Sequence, residues 1–416
     1  MDKFIISGGQ TLSGEVAISG AKNAVLPIMA ACLLWPDRFV LRNVPNLRDT
    51  RTMARLMEII GAKINFDRNE MEIDTTGCNH PEAPYELVKT MRASFYVLGP
   101  LLARFGRGRV SLPGGCNWGP RPVDLHIKAM QALGATIDLE EGYIVASGQL
   151  KGAVIDFPVS SVGATGNALM AAVLAEGETE IHNAALEPEI TALANFLCRM
   201  GASIEGLGTR RLHISGVSEL HGVEETIIPD RIEAGTFLIA GAMIGDQVRV
   251  KGVQSRDLEA LLARLGEAGV SLEQDDDSLT VSRPKEILPV DIITAPFPGY
   301  PTDLQAQWIS LMTQANGASH VRDDIYVDRF AHVPELVRLG ARVSVEQNVA
   351  LVEGPAELVG APVMSTDIRA SAAIVLAALA AHGTTEISRV YHIDRGYEAI
   401  ERKFSRLGAD IERTAE

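Results

Sequence analysis

Six times along this 416-residue chain the tripeptide Leu-Gly-Ala, or a near variant, closes a predicted amphipathic helix, with its glycine at Gly61, Gly134, Gly201, Gly269, Gly340 and Gly408. The intervals are 73, 67, 68, 71 and 68 residues, so the chain reads as repeated copies of one unit. Each glycine suits the left-handed residue that ends a helix. Each also precedes a short alternating strand, as in Ala62-Lys63-Ile64-Asn65-Phe66 and Ala341-Arg342-Val343-Ser344-Val345. Anything chemically unusual that occurs in one unit alone stands out against the other copies.

A second helix in every unit is apolar nearly all round: 22–34, 92–103, 165–175, 231–244, 303–313 and 369–381. Such helices are buried, whereas the amphipathic ones ahead of each glycine, for example 51–60 and 398–407, face solvent or cover an edge. Three units then assemble around a bundle of buried helices with their sheets outside. A chain this long exceeds what one core supports, and six units divide into three plus three. The expected fold is therefore α/β, in two domains of three repeated units each.

The 46% hydrophobic content is ample for packed cores, and the net charge of −15 argues against a nucleic-acid or anionic-membrane partner unless positive charge is locally concentrated. The longest apolar stretches, 24–35 and 372–381, are too short to span a bilayer. The opening MDKFIISGG has no signal-peptide pattern, so a cytoplasmic protein without membrane insertion is expected. Four scattered cysteines, Cys32, Cys78, Cys116 and Cys198, include no C-x-x-C pair, which argues against a disulfide framework and a zinc site.

Chemistry concentrates at the N-termini of the buried helices. Lys22, Arg92, Arg231 and Arg369 hold nearly equivalent repeat positions; Asp303 holds that place in the fifth unit, and the third offers Ser160-Ser161-Val162-Gly163. A cation there opposes the helix dipole, and a bound anion compensates it. One stretch is unique. Between Lys89 and Lys128 seven basic residues face a single acidic one, Asp124, and Pro113, Gly114, Gly115, Gly119, Pro120 and Pro122 make its centre a turn-rich loop of the kind that binds or covers ligands. Cys116 sits in that loop among glycines rather than core residues, where nearby arginines favour a thiolate.

Across its whole length the chain resembles a known family. KNA at Lys22, TMRAS at Thr90, LPGGC at Leu112, RPVDLH at Arg121, DRIEAGTF at Asp230, PTDLQAQ at Pro301, DIRAS at Asp367 and YHIDRGYE at Tyr391 are similar to motifs of the UDP-N-acetylglucosamine 1-carboxyvinyltransferases, enolpyruvyl transferases of peptidoglycan synthesis. The resemblance implies two inside-out α/β barrel domains, residues 22–229 and 230–416 with 1–21, the first carrying the cysteine loop at about 112–122. It also implies phosphoenolpyruvate and UDP-N-acetylglucosamine as substrates, with no cofactor and no metal.

By the same resemblance, Lys22, Arg121 and Arg395 hold the phosphate of phosphoenolpyruvate, Arg329 and Arg369 its carboxylate, and Asn23 lies against the substrates. The sugar nucleotide is held by Arg92, by Arg121, Pro122, Val123, Asp124 and Leu125, by Val159, Ser160, Ser161 and Val162, and by Asp303 and Ile325. Cys116 is the proton donor, can carry a covalent adduct of phosphoenolpyruvate, and is the target of fosfomycin. Catalysis falls to Cys116, Asp303, Lys22 and Arg395.

Two acidic residues also fit a plain structural reading. Thr302 and Gln305 spell a capping box around Asp303, and Asp367 suits a helix cap, whereas the resemblance makes Asp303 the base or orienter of the sugar hydroxyl and Asp367 a proton-relay partner of Arg369. Asn117 and Trp118 depart from the small or aliphatic residues usual after the loop cysteine. Two other readings of the chain compete. The sister transferase acting on shikimate 3-phosphate is disfavoured by the GGC loop and RPVDLH. A non-enzymatic clamp-like ring would spread its basic residues evenly instead of clustering them.

Overall fold

The computed structural model describes residues 2–112 and 123–415. All six repeat glycines have positive φ, between 86° at Gly269 and 114° at Gly61, a range that L side chains rarely adopt. At Gly61 the backbone N–H closes onto Met57 and Glu58 carbonyls at 3.1 Å, the pattern that ends a helix and turns the chain into the strand Lys63–Asp67.

Among the described residues the strands form six four-stranded sheets. After each repeat glycine the strand pairs antiparallel with its next neighbour in sequence, as Lys63–Asp67 does with Glu70–Asp74 and Arg342–Glu346 does with Val349–Glu353. Asp410–Ala415 is the exception, pairing instead with Asp2–Ser7 at the other end of the chain. Each sheet is completed by a strand running parallel to its neighbour, for example Glu82–Ala83 beside Arg107–Ser111. In two sheets this parallel strand comes from far away in sequence: Leu12–Ala17 joins Gly245–Lys251, and Glu224–Thr226 joins Arg38–Arg42.

These exchanges divide the chain into two compact units, Met1–Ser19 with Pro229–Glu416, and Gly20–Ile228. Each has its own apolar core. In the continuous unit the buried helices are Lys22–Ala31, Leu98–Phe105 and Val162–Ala172. In the discontinuous unit they are Arg231–Ile244, Gln305–Met312 and Ile368–Ala380. Small residues let the latter approach closely: a Cβ on Gly235 would stand 2.6 Å from Leu304 Cδ1, and Ser310 Oγ donates to Ala373 O at 2.9 Å.

Two expected helices begin differently. Arg92–Val97 is a 3₁₀ turn that precedes Leu98–Phe105, because Pro100 lacks an N–H and its ring would clash with a preceding helical carbonyl. Thr302–Leu304 is likewise 3₁₀, so Asp303 lies ahead of its α-helix instead of opening it. The helix expected from residue 165 starts at Val162, that expected from 51 starts at Arg48, and that expected over 398–407 spans Ile400–Arg406.

A buried polar knot holds the point where the chain leaves the discontinuous unit. Ser19 N donates to Glu233 Oε2 and Lys403 Nζ to Glu233 Oε1, both at 2.7 Å, while Ser19 Oγ accepts from Lys403 Nζ at 2.7 Å and donates to Glu398 Oε2 at 3.0 Å. Burial pushes the Glu233 carboxyl above its ordinary range, and the Lys403 charge opposes that rise. A raised folded-state pKa favours the fold at low pH and loses that advantage as pH rises. Lys403→Met removes the opposing charge, so its destabilisation is expected to grow as pH rises above the usual glutamate range, reaching about 3–5 kcal/mol near pH 8. Urea unfolding at pH 5 and pH 8 checks this; an equal loss at both would refute it.

Candidate active site

In the discontinuous unit the expected residues Asp303, Arg329 and Arg369 come together. Asp303 Oδ1 accepts from Arg329 Nη1 at 2.8 Å and Oδ2 from Arg369 Nη2 at 3.1 Å. Both arginine side chains are buried, at 8% and 3% exposure, whereas Asp303 keeps 24%. Burial alone would lower the Arg369 pKa, but Asp303 and the neighbouring Tyr397 outweigh it, so the guanidinium is held more firmly charged than usual. Tyr397 lies under the guanidinium, 5.4 Å from ring centre to Cζ, and its hydroxyl is tied to Thr236 Oγ1 at 2.9 Å and Gln307 Nε2 at 3.1 Å.

The capping box read from Thr302 and Gln305 does not form. Thr302 Oγ1 instead donates to Asp323 Oδ2 at 2.7 Å and accepts from Arg329 Nη1 at 2.9 Å, and the Gln305 side chain is fully buried. Asp323 is also fully buried. Its Oδ1 accepts from Thr294 Oγ1 at 2.7 Å and from the N–H groups of Ile325 and Tyr326 at 3.0 and 2.9 Å, which shapes the turn carrying the exposed Ile325 and leading to Arg329.

Asp367 does cap its helix, with Oδ1 accepting from Arg369 N at 2.9 Å and Ala370 N at 3.1 Å. Burial raises its pKa, with the Arg329 charge pulling the other way, so this carboxyl holds a proton more readily than an exposed one. Arg395 ends the turn Val390–Arg395, and the next residue, Gly396, packs so closely on the start of the Ile368–Ala380 helix that a Cβ there would lie 2.4 Å from Ile368 Cγ2. That contact places Arg395 next to the Arg369 end of the helix.

In the continuous unit Lys22 opens its helix with Nζ 3.7 Å from Oδ2 of the buried Asp49, and half-buried Asn23 follows it. Protein carboxylates thus sit beside two of the helix-terminal cations, Asp49 by Lys22 and Asp303 by Arg369, in the role that sequence reasoning gave to a ligand alone. Val123 is buried and Asp124 and Leu125 are half-buried at the start of Asp124–Ala132. Val159 is exposed, Ser160 and Val162 are half-buried, and Ser161 caps Val162–Ala172 by accepting from Ala164 N at 3.3 Å. His126 links these segments: its ring touches the Gly163 position, and its pKa falls to about 3 through burial and the charge of Arg92.

Cys116, Arg121 and Pro122 lie outside the described residues. Among the described cysteines, burial raises the thiol pKa of Cys32, Cys78 and Cys198 alike. Sequence reasoning missed Asp323, Tyr397, His126, Glu233 and Lys403. The motifs YHIDRGYE, DRIEAGTF and RPVDLH contain three of them, but no spacing marks their partners.

With the architecture and these clusters in view, the relatives are informative. The fold is that of the enolpyruvyl transferases: the enolpyruvyl transferase NikO from Streptomyces tendae superposes with a TM-score of 0.91 at 28% identity, covering 100% of this chain and 99% of that one. An EPSP synthase from Acinetobacter baumannii shares the fold at a TM-score of 0.75 and 17% identity, covering 100% of both chains. The sequence model of the family described as EPSP synthase (3-phosphoshikimate 1-carboxyvinyltransferase) matches residues 6–404. Proteins named UDP-N-acetylglucosamine 1-carboxyvinyltransferase are nearer in sequence. That of Chlorobaculum parvum is 57% identical across 99% of this chain and 98% of its own, and that of Geotalea uraniireducens is 54% identical across 100% of both. The chain belongs to the UDP-N-acetylglucosamine 1-carboxyvinyltransferase family.

Proposed function

We propose that this protein transfers the enolpyruvyl group of phosphoenolpyruvate to the 3-hydroxyl of UDP-N-acetylglucosamine with release of phosphate, the first committed step of peptidoglycan synthesis. The observation that carries this reading is identity of 54–57% along essentially the whole chain to proteins of that name. The shikimate 3-phosphate enzyme shares the fold at 17% identity, which favours the sugar nucleotide as acceptor. Action in the cytoplasm is part of the same reading. No helix among the described residues is long and apolar enough to cross a membrane.

The reaction is addition followed by elimination. The sugar hydroxyl oxygen bonds to C2 of phosphoenolpyruvate, losing its proton, while C3 gains one; loss of a proton from C3 then expels phosphate and restores the double bond. Cys116 supplies the C3 proton and Asp303 orients the hydroxyl and takes its proton. Lys22, Arg121 and Arg395 hold the phosphate, and Arg329 and Arg369 the carboxylate, for which the planar guanidinium fork is suited. Asn23 contacts the substrates beside Lys22. The sugar nucleotide is bound by Arg92, residues 121–125 and 159–162, Asp303 and Ile325, and Asp367 relays protons beside Arg369. The chemistry as written consumes no cofactor.

Mixing the protein with phosphoenolpyruvate and UDP-N-acetylglucosamine is expected to release one phosphate per enolpyruvyl product, with none released when shikimate 3-phosphate replaces the sugar nucleotide. The reverse preference would overturn the reading. Lys22→Ala and Arg395→Ala each remove a charge-assisted contact worth about 1.5–3 kcal/mol, and kcat/KM for phosphoenolpyruvate is expected to fall accordingly. Unchanged kcat/KM in both would remove these cations from the site.

A further inference from the structure

Arg413, on the last strand Asp410–Ala415, uses every hydrogen-bond donor of its side chain. Its Nη1 donates to Asp394 Oδ2 at 3.0 Å and to Asp2 Oδ2 at 3.3 Å, and its Nη2 to Asp394 Oδ1 at 2.5 Å and to Glu401 Oε2 at 3.3 Å. Its Nε donates to Glu401 Oε1 at 3.2 Å. Five N–H groups thus serve three carboxylates, an arrangement that a lysine with three donors cannot copy. The strand register sets Arg413 opposite Phe4, whose ring centre lies 5.0 Å from the guanidinium carbon, so an aromatic face backs the fork. Asp394 above all, and Glu401 with it, hold the guanidinium more firmly charged than usual, against the opposing effect of burial.

The three carboxylates differ in what they are attached to. Asp2 is exposed on the first strand, and Glu401 belongs to the Ile400–Arg406 helix. Asp394, which takes the two-pronged pair, belongs to the turn Val390–Arg395 and immediately precedes Arg395. A 3₁₀ turn of six residues is long for its kind and poorly hydrogen-bonded, so its shape has to be held from outside. Arg413 grips it at Asp394 on one side of Arg395, and Gly396 packs against Ile368 on the other.

We propose that Arg413 is a positioning residue for the phosphate-holding cation: by gripping Asp394 it fixes the backbone from which Arg395 reaches phosphoenolpyruvate. The proposal rests on the assignment of Arg395 to that phosphate. A turn ordered in advance loses less conformational freedom when the anion binds, so the grip is read in affinity for the anion.

The carboxylates on one guanidinium supply the test and its control. Asp394→Asn breaks the pair that reaches the turn and leaves Arg413 its bonds to Glu401 and Asp2, whereas Asp2→Asn weakens the same guanidinium without touching the turn. Asp394→Asn and Arg413→Gln are each expected to raise KM for phosphoenolpyruvate about tenfold with KM for UDP-N-acetylglucosamine unchanged. The double variant is expected to go no further, because both changes remove one link. Asp2→Asn is expected to match the unmodified protein. Unchanged KM for phosphoenolpyruvate in Asp394→Asn, an equal rise in both KM values, or as large a rise in Asp2→Asn would overturn the proposal, whether or not Arg413→Gln folds. Hydrogen exchange read by mass spectrometry, without substrates, is expected to be faster over residues 390–397 in Asp394→Asn than in Asp2→Asn, and equal rates would also overturn it. Absence of turnover in the unmodified protein would instead refute the assigned reaction, and the exchange comparison would still decide whether Arg413 holds the turn.

Discussion

Asp303→Asn is expected to lower kcat by about 10²–10⁴-fold, the range of a lost acid–base or orienting group. The carboxylate gives one oxygen to Arg329 and the other to Arg369, and an amide keeps only one acceptor while pointing its NH₂ at the remaining guanidinium. The same change leaves two buried cations without their shared counter-charge, so stability is expected to fall by about 3–5 kcal/mol. Phosphate release and urea unfolding, measured on the same preparation, separate the two roles. A purely structural Asp303 would show the stability loss with kcat unchanged per folded molecule, and that outcome would end its assignment to the hydroxyl.

The second large effect belongs to Cys116. Cys32 is buried with its thiol 3.3 Å from Ile28 O, and the thiols of Cys78 and Cys198 are likewise raised by burial, so these three are protonated and poorly nucleophilic at neutral pH. Fosfomycin is therefore expected to label Cys116 alone, and peptide mapping by mass spectrometry reads the position directly. Cys116→Ser is expected to lose about 10²–10⁴-fold in kcat, because a hydroxyl is a far weaker acid and nucleophile, while Cys116→Asp retains part of the activity and escapes alkylation. Label on another cysteine, or full activity in the Ser variant, would show that the loop thiol is not the proton donor.

What could be read from the sequence was local. A glycine that ends a helix needs a positive φ of its own residue, and a helix apolar on every face declares its burial without reference to a partner; both features repeat, and repetition made them visible. The 3₁₀ start at Asp303 was hidden because it depends on Thr302 bonding Asp323, twenty-one residues away. The Glu233–Lys403 pair and the His126–Asn167 pair are separated by 170 and 41 residues, and no periodicity links such partners. The parallel strand Glu224–Thr226 has three residues, none apolar, so its place beside Arg38–Arg42 is set by the sheet that receives it.

The borrowed strands also impose an order on synthesis. Leu12–Ala17 emerges from the ribosome long before Gly245–Lys251, and Asp2–Ser7 must wait for both Thr384–Ser388 and Asp410–Ala415. At ordinary elongation rates the second wait lasts roughly 20–80 s. The continuous unit, Gly20–Ile228, has all its own strands by the time Glu224–Thr226 appears, so it is the part that can fold first, while the earliest residues of the chain stay unpaired with their apolar faces exposed. For this protein the vulnerable period is thus translation itself, and the N-terminal strands are the segment that a nascent-chain chaperone has most reason to cover.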